Sequence, residues 1–116
     1  MEAELKQQPG IVILRLAGDL RLHGHSEPQY KLMRLRSAAL EQQKGILILN
    51  LGAVTKLDSL GLAELSLFPI DCGKRHVDLK LVMPSGGLRE TLKQLRIFEA
   101  WPIFEDETAA LRSAET

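Results

Sequence analysis

Two adjacent side chains, Asp58 and Ser59, stand directly ahead of the apolar-periodic stretch Leu60-Gly61-Leu62-Ala63-Glu64-Leu65. A carboxylate and a hydroxyl at that point are suited to accepting the backbone amide hydrogens that a helix start leaves without partners, and taken alone the pair reads as a helix cap. His76 completes the inventory of a Ser-His-Asp triad. An acid adjacent in sequence to the serine, however, cannot sit behind the imidazole as triad geometry requires. His23-x-His25 supplies two imidazoles without a third ligand nearby, so a polar loop is the better reading and no metal is assigned. Ser85-Gly86-Gly87 reads as a helix start rather than a nucleotide loop, and the chain contains neither a Gly-x-Ser-x-Gly elbow nor a Gly-Lys-Ser phosphate cradle. Neither catalysis nor a cofactor is expected. The lone Cys72 has no partner for a disulfide or a cysteine-based zinc site, which suits a reducing compartment.

The elements that would position Asp58 and Ser59 follow from periodicity. Ile11 to Leu16 is apolar except for Arg15 and rich in β-branched residues, which predicts a strand bounded by Pro9-Gly10 and a turn at Gly18-Asp19. Ser26 followed by Gln29, with Pro28 in the first turn, predicts a capped helix start. Tyr30, Met33 and Leu40, with Leu32, Leu35 and Ala39, recur at helical spacing and carry that helix to Lys44-Gly45. Ile46 to Leu51 is a nearly unbroken aliphatic run, the pattern of a central strand covered on both faces. Asp58 then caps a helix that should kink or end at Pro69, whose ring nitrogen has no hydrogen to donate to the Leu65 carbonyl. Leu79, Leu81 and Met83 alternate as a further strand, and Leu88, Leu92 and Leu95 give the next helix its apolar face. Ile103-Phe104 forms a short strand, with Trp101 and Phe104 expected in the core, and Asp106 through Leu111 a last helix. Strands alternating with helices predict an α/β fold with a mixed, largely parallel sheet of four to five strands and about four helices.

Length and composition fit one domain spanning residues 1–116. Apolar residues make up 45% of the chain and charged residues 26%, ordinary globular values. The 15 basic and 15 acidic side chains cancel, which removes the charge excess that binding to nucleic acid or an anionic membrane would use. Glu2, Glu4 and Lys6 occupy the region where a signal peptide would be apolar, and no run is long enough to span a bilayer. A cytoplasmic protein without direct membrane insertion is expected.

The segment Ile46 to Leu62, an apolar strand, a short loop and then Asp58-Ser59-Leu60-Gly61-Leu62, resembles the signature of the STAS family, the domain shared by sulfate transporters and anti-sigma factor antagonists. Gly18, Gly73 and the closing Ala110-Leu111 are similarly placed. The resemblance implies a STAS-type fold and an antagonist that binds an anti-sigma factor. In stand-alone members that factor is also an ATP-using serine kinase, and a phosphatase reverses the modification. Ser59 matches the phosphoacceptor, and Asp58, Leu60, Gly61, Arg21 and His23 match the surrounding partner-binding surface. Three positions depart from the pattern. Arg21 stands where many antagonists carry an acid, Leu60 replaces a small hydroxyl residue, and Asn50 replaces the aspartate that ends the central strand.

A phosphate on the first turn of a helix would bring about −1.5 to −2 charges to a locally near-neutral surface. Repulsion by Asp58 and the cost of desolvating the dianion would together weaken an interface by roughly a hundredfold or more. Arg21, Leu60 and the kink expected at Pro69 motivate an alternative, a constitutive STAS subunit of a membrane transporter or signalling scaffold that does not switch.

Overall fold

The structure is a computed structural model and describes residues 1–41, 45–83, 86–94, 96 and 101–114. Among these residues five strands form one sheet in chain order: β1 (Glu2–Gln8), β2 (Ile11–Leu20), β3 (Gly45–Leu57), β4 (Val77–Val82) and β5 (Ile103–Phe104). β1 folds back antiparallel on β2 through Pro9-Gly10, and every later neighbour is parallel. Among the described residues the helices are α1 (Ser26–Ala39), α2 (Ser59–Arg75), α3 (Gly87–Gln94) and α4 (Glu107–Ala114). This is the mixed, largely parallel α/β sheet that the alternating pattern predicts.

Side chains alternate across a strand, so β2, β3 and β4 feed two cores. Leu14, Leu16, Leu47, Leu49, Leu79 and Leu81 pack with residues of α1, α2 and α3 in the larger one. Ile13, Ile48 and Val82 face the other way and are covered by α4 through Ala110. Both faces of the first half of β3 are therefore dry, which is why that half reads as a continuous aliphatic run. Trp101 and Phe104 are half-buried, one against each core.

Several boundaries differ from expectation. β1 is a strand although its sequence is mostly polar, because an edge strand needs only Ala3 and Leu5 to reach the core. β2 runs through Gly18-Asp19 to Leu20 instead of turning there. β3 has 13 residues and extends well past Leu51. Two register shifts, between Arg15 and Ala17 and between Gly18 and Asp19, each set an extra β3 residue opposite β2 and let the ladder continue until Leu20 pairs with Leu57.

α1 stops at Ala39, short of Lys44-Gly45, and residues 42–44 lie outside the described ones. Its buried face is carried by Leu32 and Ala39, while Tyr30 and Met33 are 58% and 40% exposed. α1 does begin at Ser26, but the residue flanking it is His25, which makes no side-chain cap, and the Gln29 amide donates to Glu64 instead. α2 continues through Pro69 to Arg75. Phe68, Pro69 and Cys72 are all buried, and that apolar contact outweighs the one backbone bond the proline forfeits. α2 ends at His76, which adopts a left-handed conformation with φ of 58° and donates its amide to the Cys72 carbonyl. α4 begins at Glu107, one residue after the expected Asp106, which instead accepts from the Ala109 amide at 2.8 Å as a cap. Pro84, Ser85 and Leu95 lie outside the described residues.

Candidate functional site

Because Leu20 and Leu57 end their strands side by side, the chain leaving β2 is delivered against the start of α2. Asp58 is the N-cap in extended conformation, and both of its carboxylate oxygens are engaged. Oδ1 accepts from the Gly61 amide at 2.8 Å, closing the first helical turn. Oδ2 accepts from the His23 amide at 2.9 Å, tying the β2–α1 loop to the helix start. These amide bonds, Gly61 first and His23 second, favour the ionised form and lower the carboxyl to about 2 from an ordinary 3.8.

Gly61 makes the approach feasible. A Cβ there would stand 2.0 Å from the Leu20 carbonyl oxygen, so no side chain fits. Gly61 is buried and sets the spacing, and Leu60 is partly buried against the larger core. Ser59 is the first helical residue and is exposed, and its hydroxyl has no hydrogen-bond partner among the described residues. Of the six residues that the sequence singles out here, Asp58, Ser59, Arg21 and His23 thus line one surface, while Leu60 and Gly61 support it from beneath.

Arg21 is held by Asp19, a residue that the sequence motif does not include. Its Nη2 donates to Asp19 Oδ2 at 2.6 Å, its Nε lies 3.0 Å from both Asp19 oxygens, and its backbone amide donates to Oδ1 at 2.9 Å. These hydrogen bonds hold the Asp19 carboxyl well below the usual carboxylate range. The available signal is Asp19-Leu20-Arg21, an acid and a base two residues apart, which the expected turn at Gly18-Asp19 obscures.

A second omission lies along α2. Glu64 falls at an apolar-periodic position yet is buried between α1 and α2. It accepts from Arg36 Nη1 and from Gln29 Nε2, both at 3.2 Å, while Arg36 Nε donates to Asp71 at 3.0 Å. The Arg36 guanidinium also lies 5.9 Å from the Phe68 ring centre. This clamp fixes the helix that carries Ser59 against its neighbour.

On the α4 face, an open groove of about 780 Å³ is lined in part by Glu4, Arg15, Asn50 and Glu107. Arg15 donates to both Glu107 oxygens at 2.7 Å and to Glu4 at 2.8 Å. Asn50 donates its amide to Glu107 and accepts from the Gly52 amide at 2.8 Å. Hydrogen bonds from Arg15, then from Asn50, hold Glu107 below the usual carboxylate range. The departure at position 50 is thereby explained, since an aspartate there would face Glu107 charge to charge.

His76 closes α2 at the end opposite Ser59, roughly 25 Å along the helix axis, so these two residues do not share a site. Among the described residues, histidine, cysteine, aspartate and glutamate do not gather in a group of three or more able to hold a metal. No helix among them is long and apolar enough to cross a membrane.

A family model described as STAS domain matches residues 2–110. No curated protein matches the sequence. Among solved structures, an anti-sigma factor antagonist from Mycobacterium paratuberculosis aligns with a TM-score of 0.76 at 16% identity, covering 99% of this chain and 94% of that one. A sulfate transporter family protein from Wolinella succinogenes aligns at 0.74 and 24% identity over 93% of this chain and 87% of that one. The anti-sigma factor antagonist SpoIIAA in its unphosphorylated form aligns at 0.66 and 19% identity over 98% of each chain. The Bacillus protein in its phosphorylated form also matches. At these identities the likeness carries the fold.

Proposed function

Because the chain belongs to the STAS domain family, we propose that it is an anti-sigma factor antagonist, a cytoplasmic binding protein that docks an anti-sigma factor through the start of α2 and is switched by phosphorylation of Ser59. The observation that carries this reading is the exposed Ser59 hydroxyl on the first helical residue, uncommitted among the described residues, beside a cap whose oxygens are both engaged. The cap keeps the serine in place without using it. SpoIIAA, whose fold this chain shares, is described both unphosphorylated and phosphorylated.

In the proposed switch, Ser59 Oγ bonds to the γ-phosphorus of ATP held by the partner kinase. The bond from that phosphorus to its bridging oxygen breaks, ADP leaves, and the hydroxyl proton passes to a base of the kinase. The new dianion lies beside the ionised Asp58 and would have to be desolvated for docking, so the complex opens without any refolding of the antagonist. A phosphatase resets the surface. The chain itself contributes no catalytic step.

The test is incubation with an anti-sigma kinase from the same genome and ATP. Phosphate should be located on Ser59 by mass spectrometry and be absent from Ser59→Ala. Uptake at another residue would count against the assignment.

Arg21 favours a second reading. A base stands where many antagonists carry an acid, and the fold is shared with a sulfate transporter family protein. On that reading the chain is a constitutive subunit of a transporter or scaffold. Co-purification with a permease, together with no phosphate uptake, would select it.

A further inference from the structure

The loop that closes over the first turn of α2 carries a cation, Arg21, within electrostatic reach of Asp58, the residue before the proposed phosphorylation point. The Leu20 carbonyl packs on Gly61 and the His23 amide donates to Asp58, so the backbone of Arg21 is pinned from both sides alongside residues 58–61. Its guanidinium is occupied only by Asp19 among the described residues. That pair lies at the surface, with side chains 55% and 42% exposed, and exposed ion pairs of this kind are weak and readily exchanged. A phosphate offers more charge than a carboxylate and three acceptor oxygens, and a guanidinium fork matches it in two-point geometry. The other charges around the loop are Asp58, which opposes a phosphate, and Lys56, which favours one. Arg21 feels Asp58 already, and Lys56 acts on Asp19.

We propose that phosphorylation of Ser59 draws the Arg21 guanidinium off Asp19 and onto the phosphate, an inference that rests on the phosphorylation reading above. The modification then does more than add charge at one residue. It rearranges the β2–α1 loop surface and uncovers the Asp19 carboxylate, leaving Lys56 as the neighbouring cation. Arg21, which breaks the pattern of acids at this position, acquires a role as the internal receiver of the switch.

The test uses the full chain with phosphoserine installed at position 59 by genetic encoding, so that no kinase is involved. In a phosphorus NMR titration, the second phosphate pKa should be lower in the otherwise unaltered chain than in Arg21→Gln by about half a unit. Arg21→Lys, which keeps the charge and loses the fork, should fall between them, and Asp19→Asn, which frees Arg21 in advance, should lower the value further. The helix-start amides, Asp58 and Asp19 are common to the parent, Arg21→Lys and Arg21→Gln, so the differences among those three isolate Arg21. Carbon NMR of the Asp19 carboxyl should show its pKa rising toward the ordinary range when residue 59 is phosphorylated. Identical phosphate titrations with and without Arg21, or an Asp19 carboxyl unmoved by phosphorylation, would overturn the exchange. Failure of a kinase to modify Ser59 would instead count against the function proposed above and would leave this titration intact.

Discussion

The carbonyl oxygen of Leu20 lies 2.0 Å from where the first side-chain carbon of residue 61 would stand, so the end of β2 and the first turn of α2 touch only because that residue is glycine. Gly61→Ala must therefore push the loop or the helix aside. A loss of about 2–3 kcal/mol is expected in urea unfolding, the upper range for overpacking, because the obstructing atom is backbone and cannot rotate away. Amide shifts at Leu22, His23 and Ser59 should move with it. A neutral outcome would mean that the two elements are less closely coupled than the structure has them.

Asp58 should make stability depend on pH in a defined window. Its carboxyl sits at about 2 in the folded chain against an ordinary 3.8, a depressed value, so its contribution is complete above about 4 and is lost as pH falls toward 2. The replacement Asp58→Asn offers one acceptor oxygen to two amides and cannot titrate. The stability gap between the parent and Asp58→Asn should be constant from pH 7 to 5 and should narrow steadily below pH 4. A gap that widens on acidification would contradict the assigned hydrogen bonds.

Asn50→Asp tests the departure from the family pattern at the end of the aliphatic run. It places a second carboxylate against Glu107 and removes the amide hydrogen that Glu107 accepts. A destabilisation of about 1–2 kcal/mol is expected at pH 7. The two acids would share a raised pKa, so the penalty should apply above that value and disappear as pH falls through it. Urea midpoints at pH 7 and pH 4 for both proteins decide the matter.

The Arg36–Glu64 pair, with side chains 12% and 10% exposed, should show strong coupling. Glu64→Leu leaves the guanidinium with Asp71 alone in a mostly dry site and should cost about 3 kcal/mol. Arg36→Leu, which strands Glu64, should cost a similar amount, and the double replacement clearly less than the sum of the two. Additive losses in a double-mutant cycle would reduce the clamp to two independent contacts.

The strand-helix alternation, the central position of β3 and the Asp58 cap were legible in the sequence because each depends on local periodicity or on a local hydrogen bond. The extent of β2 and β3 was not. Beyond Leu51 the ladder is held by pairing with β2, and the polar run Thr55-Lys56 gives no apolar alternation to reveal it. Tyr30 and Met33 fit helical spacing as well as the buried positions do, and only the direction from which the sheet approaches α1 separates them. Ser59 and Asp58 were visible as a motif, whereas Asp19 and Glu64 were not. The partner of Glu64, Arg36, stands on another helix and is supplied by the fold alone, whereas Asp19 lies two residues from Arg21 and was hidden by the turn expected at Gly18-Asp19.

In the proposed switch, charge on Ser59 governs docking. Calorimetric titration of an anti-sigma kinase from the same genome with the unmodified chain and with the phosphoserine-59 chain tests it most directly. The unmodified chain should bind, and the phosphorylated one should bind more weakly by roughly a hundredfold or more. Equal affinity for the two forms would contradict it.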